Sequence, residues 1–333
     1  MRSDDRVNGT LRIATVFVLT ACVWITASDA YAQSDPVVHL YQGVDDWARL
    51  PDGRTWGAPA GVEMDPDQNS LWVFERCGVN SCSGSDLPAI LKFDSSGRLV
   101  QSFGGGMFIF PHGLHVDHDG NVYVTDGRGE GEIGHQIFKF SPRGELLLTL
   151  GQPGVAGEGP YTFNRPSDVA VAPNGDIFVA DGHNPLETNM RIVKYSKDGT
   201  YIKEWGGKGT ANGKLSDPHA IAFDSQGRLF VADRANQRIQ IFDQDGGFID
   251  AWTQFGSPSG LYITPDDMLY VADLGEGIRI GSARDGSVSA FLKAPEGEDG
   301  SVRVAESVAV DSQGNIYAGE NANRKLMKLV APR

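Results

Sequence analysis

The chain has 333 residues, with 29 Lys and Arg against 43 Asp and Glu, and a formal net charge of −14. This charge argues against nucleic acid or an anionic membrane as a partner, because both are bound by clustered Lys and Arg. Hydrophobic residues make up 40% of the chain, which is enough for a large core and excludes wholesale disorder. The 42 glycines indicate many short elements joined by tight turns, which favours an all-β protein.

Residues 1–32 have the pattern of a signal peptide. Three arginines precede an apolar stretch that begins at Ile13, and Ala30-Tyr31-Ala32 supplies a cleavage site of the small-x-small type. The apolar stretch is too short to span a bilayer comfortably. A lipoprotein signal with its lipid on Cys22 is the alternative. Both interpretations predict export to the periplasm or the medium, without membrane insertion of the mature chain.

Two cysteines, Cys77 and Cys82, remain after this cleavage. In an oxidising compartment, two cysteines with four residues between them most simply form a local disulfide. A metal site is the alternative, but no histidine lies near the pair in sequence. The sequence therefore predicts a disulfide bond.

A strand–turn–strand unit recurs along the rest of the chain. In one clear copy the first strand starts at Pro218, a turn falls at Gln226-Gly227, and the second strand ends at Asp233. A third strand, a turn and a fourth strand follow. The copies begin at Pro59, Pro111, Pro166, Pro218, Pro258 and Ala305, 40 to 55 residues apart. This spacing is typical of a four-stranded propeller blade.

Residues 37–333 are therefore predicted to form a single six-bladed β-propeller. The segment from Ala305 to the end is long enough for only three strands. We expect residues 37–41 to supply the fourth strand of this last blade. The N-terminal strand would then close the ring and leave no open sheet edge.

Residues 166–195 and 218–242 resemble NHL repeats. Over essentially the whole mature chain, the sequence resembles the peptidyl-α-hydroxyglycine α-amidating lyase family. The motifs that carry this resemblance are Phe110-Pro-His-Gly-Leu114, Arg165-Pro-Ser-Asp-Val-Ala-Val171, Phe178-Val-Ala-Asp-Gly182 and Ala232-Asp-Arg-Ala-Asn-Gln-Arg-Ile239. The resemblance implies a metal-dependent lyase that cleaves the C–N bond of an α-hydroxyglycine-like substrate to give an amide and glyoxylate.

One repeat position differs between alternate blades: the residue that follows the blade-opening proline or its equivalent. It is His112 in blade two, His219 in blade four and Glu306 in blade six, and it is small in the odd blades. These side chains should converge on the central channel about 120° apart. Two imidazoles and a carboxylate suit a divalent metal, with Zn²⁺ as the first expectation and Fe²⁺ or Mn²⁺ as alternatives. Alternatively, each histidine only hydrogen-bonds a neighbouring loop.

The family resemblance bears directly on this position. The family is similar in binding catalytic zinc through three histidines at alternate blade openings, which fall on His112, His219 and Glu306. The glutamate is a departure from the family pattern. The family's structural calcium contact would fall on Ser307, which has no carboxylate, so calcium is the less favoured metal.

The resemblance also implies residues that contact the substrate. An arginine that holds the substrate carboxylate falls on Arg76, and a second active-site arginine falls on Arg234. The family's tyrosine base has no counterpart here, where His183 follows Asp181-Gly182 instead. An imidazole titrates near neutral pH, so His183 is the candidate base.

The predicted function is therefore that of an exported, monomeric metalloenzyme acting on a small-molecule or peptide substrate. A non-catalytic NHL propeller that binds a protein or peptide is one alternative, and a metal-dependent hydrolase or lactonase is another. Arg76 and Arg234 could instead form surface salt bridges with Glu75 and Asp233. The carboxylates that recur where the second strands end are interpreted as structural caps; they are Asp126, Asp181, Asp233 and Asp273.

Overall fold

The strands form six antiparallel sheets of four strands each. The computed structural model describes residues 41–44, 46–184, 189–294 and 305–332. In these residues the strands are β1 (Gln42–Val44), β2 (Pro59–Met64), β3 (Leu71–Glu75), β4 (Ile90–Phe93), β5 (Leu99–Phe103), β6 (Pro111–Val116), β7 (Val122–Glu130), β8 (Ile133–Phe140), β9 (Leu146–Leu150), β10 (Pro166–Val171), β11 (Ile177–Asp181), β12 (Arg191–Tyr195), β13 (Tyr201–Gly206), β14 (Pro218–Phe223), β15 (Leu229–Asp233), β16 (Arg238–Phe242), β17 (Phe248–Trp252), β18 (Pro258–Ile263), β19 (Met268–Asp273), β20 (Gly277–Ser282), β21 (Val288–Lys293), β22 (Ala305–Val310), β23 (Ile316–Glu320) and β24 (Lys325–Val330).

The six sheets are the blades of a propeller. The first strand of each blade contacts the first strand of the next, and the cycle β2, β6, β10, β14, β18, β22 returns to β2. These six strands begin at the six positions that the repeat predicts. The predicted all-β, six-bladed fold is confirmed.

An N-terminal strand closes the ring. In blade six the strand order is β1-β24-β23-β22, with Gln42 opposite Val330 and Val44 opposite Lys328. In the described residues this strand is Gln42–Val44, directly after the predicted segment 37–41. Residues 37–40, the predicted signal peptide and Cys22 lie outside the described residues.

Burial within a blade is lowest in the outermost, fourth strand. Every residue of β11 and β15, which are second strands, is buried, whereas the fourth strand β13 alternates between partly buried and exposed. The core lies between adjacent blades, where the rings of Phe103 in blade one and Phe140 in blade two have centroids 5.2 Å apart. Tight turns join the strands, and Gly227 has a φ of 75°, a conformation that glycine adopts without steric cost.

The carboxylates at the ends of the second strands accept hydrogen bonds from the segment that leads into the first strand of the same blade. Asp126 accepts hydrogen bonds from the N–H groups of Ile109 (2.8 Å) and Phe110 (2.6 Å). The same pattern recurs in Asn164 N–H to Asp181, Ser216 N–H to Asp233, and Ser257 N–H to Asp273. Buried N–H groups need such acceptors, so the structural interpretation of these carboxylates is confirmed.

The predicted disulfide between Cys77 and Cys82 is present in the loop that follows β3. A disulfide is consistent with the oxidising environment of an extracellular protein. Among the described residues, no helix has the length and apolar character needed to cross a bilayer.

Candidate metal centre

One face of the propeller carries all the candidate site residues. On this face, called the site face below, the first strand of each blade begins and the second strand ends, as in the pairing of Pro111 with Asp126. The residue after the blade-opening position therefore sits at the mouth of the central channel. In blades two to six these residues link neighbouring blades: His112 bonds to the carbonyl of Ser167, Ser167 to that of Pro218, His219 to that of Ser259, and Ser259 to that of Ala305.

The histidines in this series use only one ring nitrogen for the link. Nδ1 of His112 is 2.7 Å from the Ser167 carbonyl, and Nδ1 of His219 is 2.6 Å from the Ser259 carbonyl. A carbonyl can only accept, so each Nδ1 carries a proton and, in the neutral ring, Nε2 carries a lone pair. Both Nε2 atoms are buried without a hydrogen-bond partner. Each histidine thus bonds to the first strand of the next blade and not to a loop, and this bond leaves its Nε2 available to a metal.

A third histidine joins these two. His183, which follows β11 in blade three, has its ring centroid 4.6 Å from that of His112 and 4.9 Å from that of His219. One ligand atom from each of the three rings lies within 4.8 Å of the others. The backbone N–H of His183 donates to the Arg165 carbonyl, which holds the residue over the channel mouth. Three imidazoles therefore surround one point.

Glu306 lies beside this triad. Its Oε1 is 3.1 Å from Nε2 of His219 and 4.0 Å from Nε2 of His112. Burial by itself would raise the pKa of Glu306, but His219 and Arg234 outweigh it and hold the pKa well below its usual range. An ionised carboxylate this close to the lone pair of Nε2 is repelled unless a cation or a proton lies between them.

Asp217 binds both His183 and Arg234. Its Oδ1 is 3.2 Å from Nδ1 of His183, and its Oδ2 accepts a hydrogen bond of 2.8 Å from Nε of Arg234. Burial opposes ionisation of Asp217, yet these two partners and His219 lower its pKa below the usual range. Since an ionised Asp217 accepts the Nδ1 proton, Nε2 of His183 is the nitrogen that remains available.

The two predicted arginines also reach the site. Nη1 of Arg234 is 3.7 Å from Oε1 of Glu306. Arg76 is 3% exposed; its Nε donates to the Pro111 carbonyl and its Nη1 to Oδ1 of Asn80. Burial lowers the pKa of Arg76 to about 10, and Glu306 opposes this shift. The guanidinium is therefore charged at neutral pH.

Neither arginine forms the surface salt bridge considered from the sequence. Glu75 pairs with Arg54 at 2.5 Å, and Asp233 pairs with Arg238 at 2.8 Å. Arg76 is thus directed to the backbone of blade two, and Arg234 is paired with Asp217.

Burial favours the neutral form of two of these imidazoles, those of His112 and His183. It lowers the pKa of His183 to about 4, although Asp217 raises it, and it lowers the pKa of His112 well below its usual value. A neutral imidazole with a free nitrogen is the form that binds a metal. The same shift makes His183 a weak base at neutral pH, so its setting suits a ligand better than a base.

Sequence reasoning predicted the six residues His112, His183, His219, Arg76, Arg234 and Glu306, and the structure brings all of them to one mouth. It missed Asp217. A usable signal was present, because Asp217 directly precedes the blade-opening Pro218, at the same place where Arg165 precedes Pro166.

Ser307, the residue on which the family's calcium contact would fall, lines the channel next to Glu306. Its hydroxyl is buried and has no hydrogen-bond partner.

The sheets, their cyclic contacts and the repeat define this chain as a six-bladed β-propeller with NHL repeats. The NHL repeat family matches residues 163–195 and 215–242, which lie in blades three and four. The chain is similar to human NHL repeat-containing protein 3, with 29% identity over 313 residues that cover 87% of this chain and 84% of that protein.

Among its relatives are amidating lyases, so the resemblance predicted from the motifs is confirmed. Peptidyl-alpha-hydroxyglycine alpha-amidating lyase 1 of Drosophila melanogaster is 39% identical over 166 residues, which cover 46% of this chain and 29% of that protein. The structure is also similar to a gluconolactonase from Xanthomonas campestris, with a TM-score of 0.61 and 18% identity, covering 90% of this chain and 97% of that one. At this identity the likeness concerns the fold alone.

Proposed function

We propose that the protein is a metal-dependent lyase of the amidating type, which cleaves an α-hydroxyglycine-like carbinolamide to an amide and glyoxylate. The observation that carries this proposal is the set of three imidazoles within 4.8 Å, two of which present buried Nε2 atoms without a partner. Orphaned buried acceptors that face a carboxylate are costly unless a cation is shared between them.

The residues that would hold the metal are His112, His183, His219 and Glu306. Imidazole and carboxylate donors suit Zn²⁺ and also Fe²⁺ or Mn²⁺. When bound, such a metal supplies Lewis acidity, which eases loss of the proton from the substrate's hydroxyl group. In this assignment His183 is a ligand and not the base predicted from the sequence, because its pKa of about 4 leaves it little basicity.

The chain's own residues would orient the substrate. Arg76 is charged, buried and fixed by Pro111 and Asn80, and it would bind the substrate carboxylate. Arg234, held by Asp217, would face the same carboxylate from the opposite side of the triad. The reaction is redox-neutral: the hydroxyl group loses a proton, its carbon becomes a carbonyl as the C–N bond breaks, and the amide nitrogen takes up a proton.

Elemental analysis of protein purified without chelator tests the proposal. We expect about one divalent metal per chain, and its loss in His112→Ala and His219→Ala. His115→Ala is the matched control, because His115 also lines the channel but contacts Tyr123 instead of the triad. Circular dichroism would confirm that each variant is folded.

Full metal content in both histidine variants would overturn the metal centre. Glyoxylate release from N-acyl-α-hydroxyglycines tests the reaction separately. A metal-loaded protein that releases none would refute the lyase assignment, and a folded protein without metal would favour a propeller that only binds a partner.

A further inference from the structure

Blade two carries a hairpin that extends beyond the other blades on the site face. Strand β7 has nine residues and β8 has eight, whereas the second and third strands of the other blades have four to six. Pairing continues past Asp126 through Gly129 opposite Gly134. The repeat predicts that the second strand of this blade ends at Asp126, so the extension is not part of the repeat. The extension places Arg128 beside the channel mouth.

Arg128 and Arg76 stack on the same aromatic ring. The guanidinium carbons of Arg76 and Arg128 lie 3.7 Å and 3.8 Å from the centroid of Phe110. Two planar groups at these distances cannot share one face, so Phe110 is sandwiched between them. The Phe110 ring centroid is 6.2 Å from that of His112. The Phe110 ring therefore separates Arg128 from Arg76, the arginine proposed to bind the substrate carboxylate.

Arg165 lies beside the same hairpin, because its backbone N–H donates to Nδ1 of His135 in β8 at 3.3 Å. Burial lowers the pKa of Arg128, and the charge of Arg165 lowers it further. The carbonyl of Arg165 accepts the N–H groups of Gly182 and His183, so this residue is fixed next to the triad. In the part of the chain that the structure describes, no carboxylate lies within 4 Å of the guanidinium of Arg128 or Arg165.

Arg128 and Arg165 differ in this respect from the arginines that pair with carboxylates. The chain has a net charge of −14, and arginines such as Arg54, Arg191 and Arg238 pair with carboxylates. The guanidinium groups of Arg76 and Arg128 lie on the same aromatic ring and repel each other, and an anion bound at the exposed Arg128 reduces this repulsion.

We propose that Arg128 and Arg165 bind a second anionic group of the substrate. Resting on the proposed function, this defines the substrate class as an N-acyl-α-hydroxyglycine whose acyl part carries a carboxylate. The α-carboxylate would bind at Arg76 and Arg234, and the acyl carboxylate at Arg128 and Arg165, with Phe110 as the spacer between the two cationic positions.

The test compares N-glutaryl-α-hydroxyglycine with N-pentanoyl-α-hydroxyglycine, which differ in the terminal carboxylate. For the wild type we expect kcat/KM to be about tenfold higher with the glutaryl compound, as one charge-assisted contact allows. Arg128→Gln and Arg165→Gln should each reduce this ratio towards one. Arg143→Gln, an exposed arginine in the β8–β9 turn, is the control and should retain the ratio.

Equal turnover of the two compounds by the wild type, or a ratio that survives in both variants, would overturn the second subsite while leaving the lyase intact. If the wild type releases glyoxylate from neither compound, the proposed function fails. Binding measured by calorimetry then still tests whether the second subsite exists. The wild type should then bind glutarate more tightly than pentanoate, and the two variants should lose this difference. Equal binding would refute the subsite.

Discussion

Asp217 connects three parts of the candidate site through one carboxylate. It holds Nδ1 of His183, the Nε of Arg234 and the N–H of Asn184. A metal-binding histidine generally depends on such a partner for its tautomer and orientation. Asp217 is therefore a positioning residue, since it fixes the groups that would touch metal and substrate without touching either.

We expect Asp217→Asn to weaken metal binding by about 10- to 100-fold, because an amide does not hold the Nδ1 proton as a carboxylate does. Competition with a chromophoric chelator at pH 7 measures this affinity. Asp119→Asn, on an exposed turn next to His118, is the control. Wild-type affinity in Asp217→Asn would show that His183 needs no such support.

How far the sequence predicts the site depends on whether a residue belongs to the repeat. His112, His219 and Glu306 occupy one repeat position, so their convergence follows from the blade geometry alone. The place of His183 depends on the Arg165 carbonyl and on Asp217, which are contacts of individual loops. Arg128 depends on a hairpin whose glycines gave no strand pattern. These features lie outside the periodicity: the family resemblance indicated His183 as a base, but its contacts and the position of Arg128 come from the structure.

Within each blade, the carboxylate that ends the second strand is the main polar junction. In blade four, Asp233 accepts hydrogen bonds from Ser216 N–H, Asn236, Arg238 and Gln240. Arg238 in turn donates to the carbonyls of Ala211 and Lys214 in the loop that leads into the blade. The junction therefore ties strand and loop together through one buried ion pair.

Arg238→Ala should destabilise the protein by about 3 kcal/mol, because it leaves the buried Asp233 carboxylate without its cation. Urea denaturation followed by tryptophan fluorescence measures this change. Arg98→Ala is the control; Arg98 pairs with Asp94 at the surface, where its side chain is 77% exposed, and the midpoint should not change. Equal midpoints for Arg238→Ala and the wild type would contradict this role of the junction.

At the scale of the whole molecule, the closed ring encloses neutral histidines. Burial lowers the pKa of His115 in the channel to about 4. Between pH 6.5 and 4 the unfolded chain binds a proton at this residue that the folded chain does not bind, so the folded state loses stability as the pH falls. A pKa difference of this size corresponds to roughly 3 kcal/mol when the pH has fallen below both values.

His115→Asn should therefore lose about 2 kcal/mol less stability than the wild type between pH 7 and pH 4.5. Urea denaturation at the two pH values gives the comparison. His118→Asn serves as control, since the His118 side chain is 77% exposed. Parallel losses in the wild type and His115→Asn would show that His115 does not contribute to acid lability.

The closure of blade six also brings the first and last strands of the propeller together. Strand β24 begins on the site face, where Lys325 lies opposite Glu320, and ends at Val330 on the far face. Gln42 lies beside Val330, and the N–H of Ala331 donates to Asn315 in the turn on that same far face. A carrier that binds this far face should therefore leave the mouth of the central channel open to the solution.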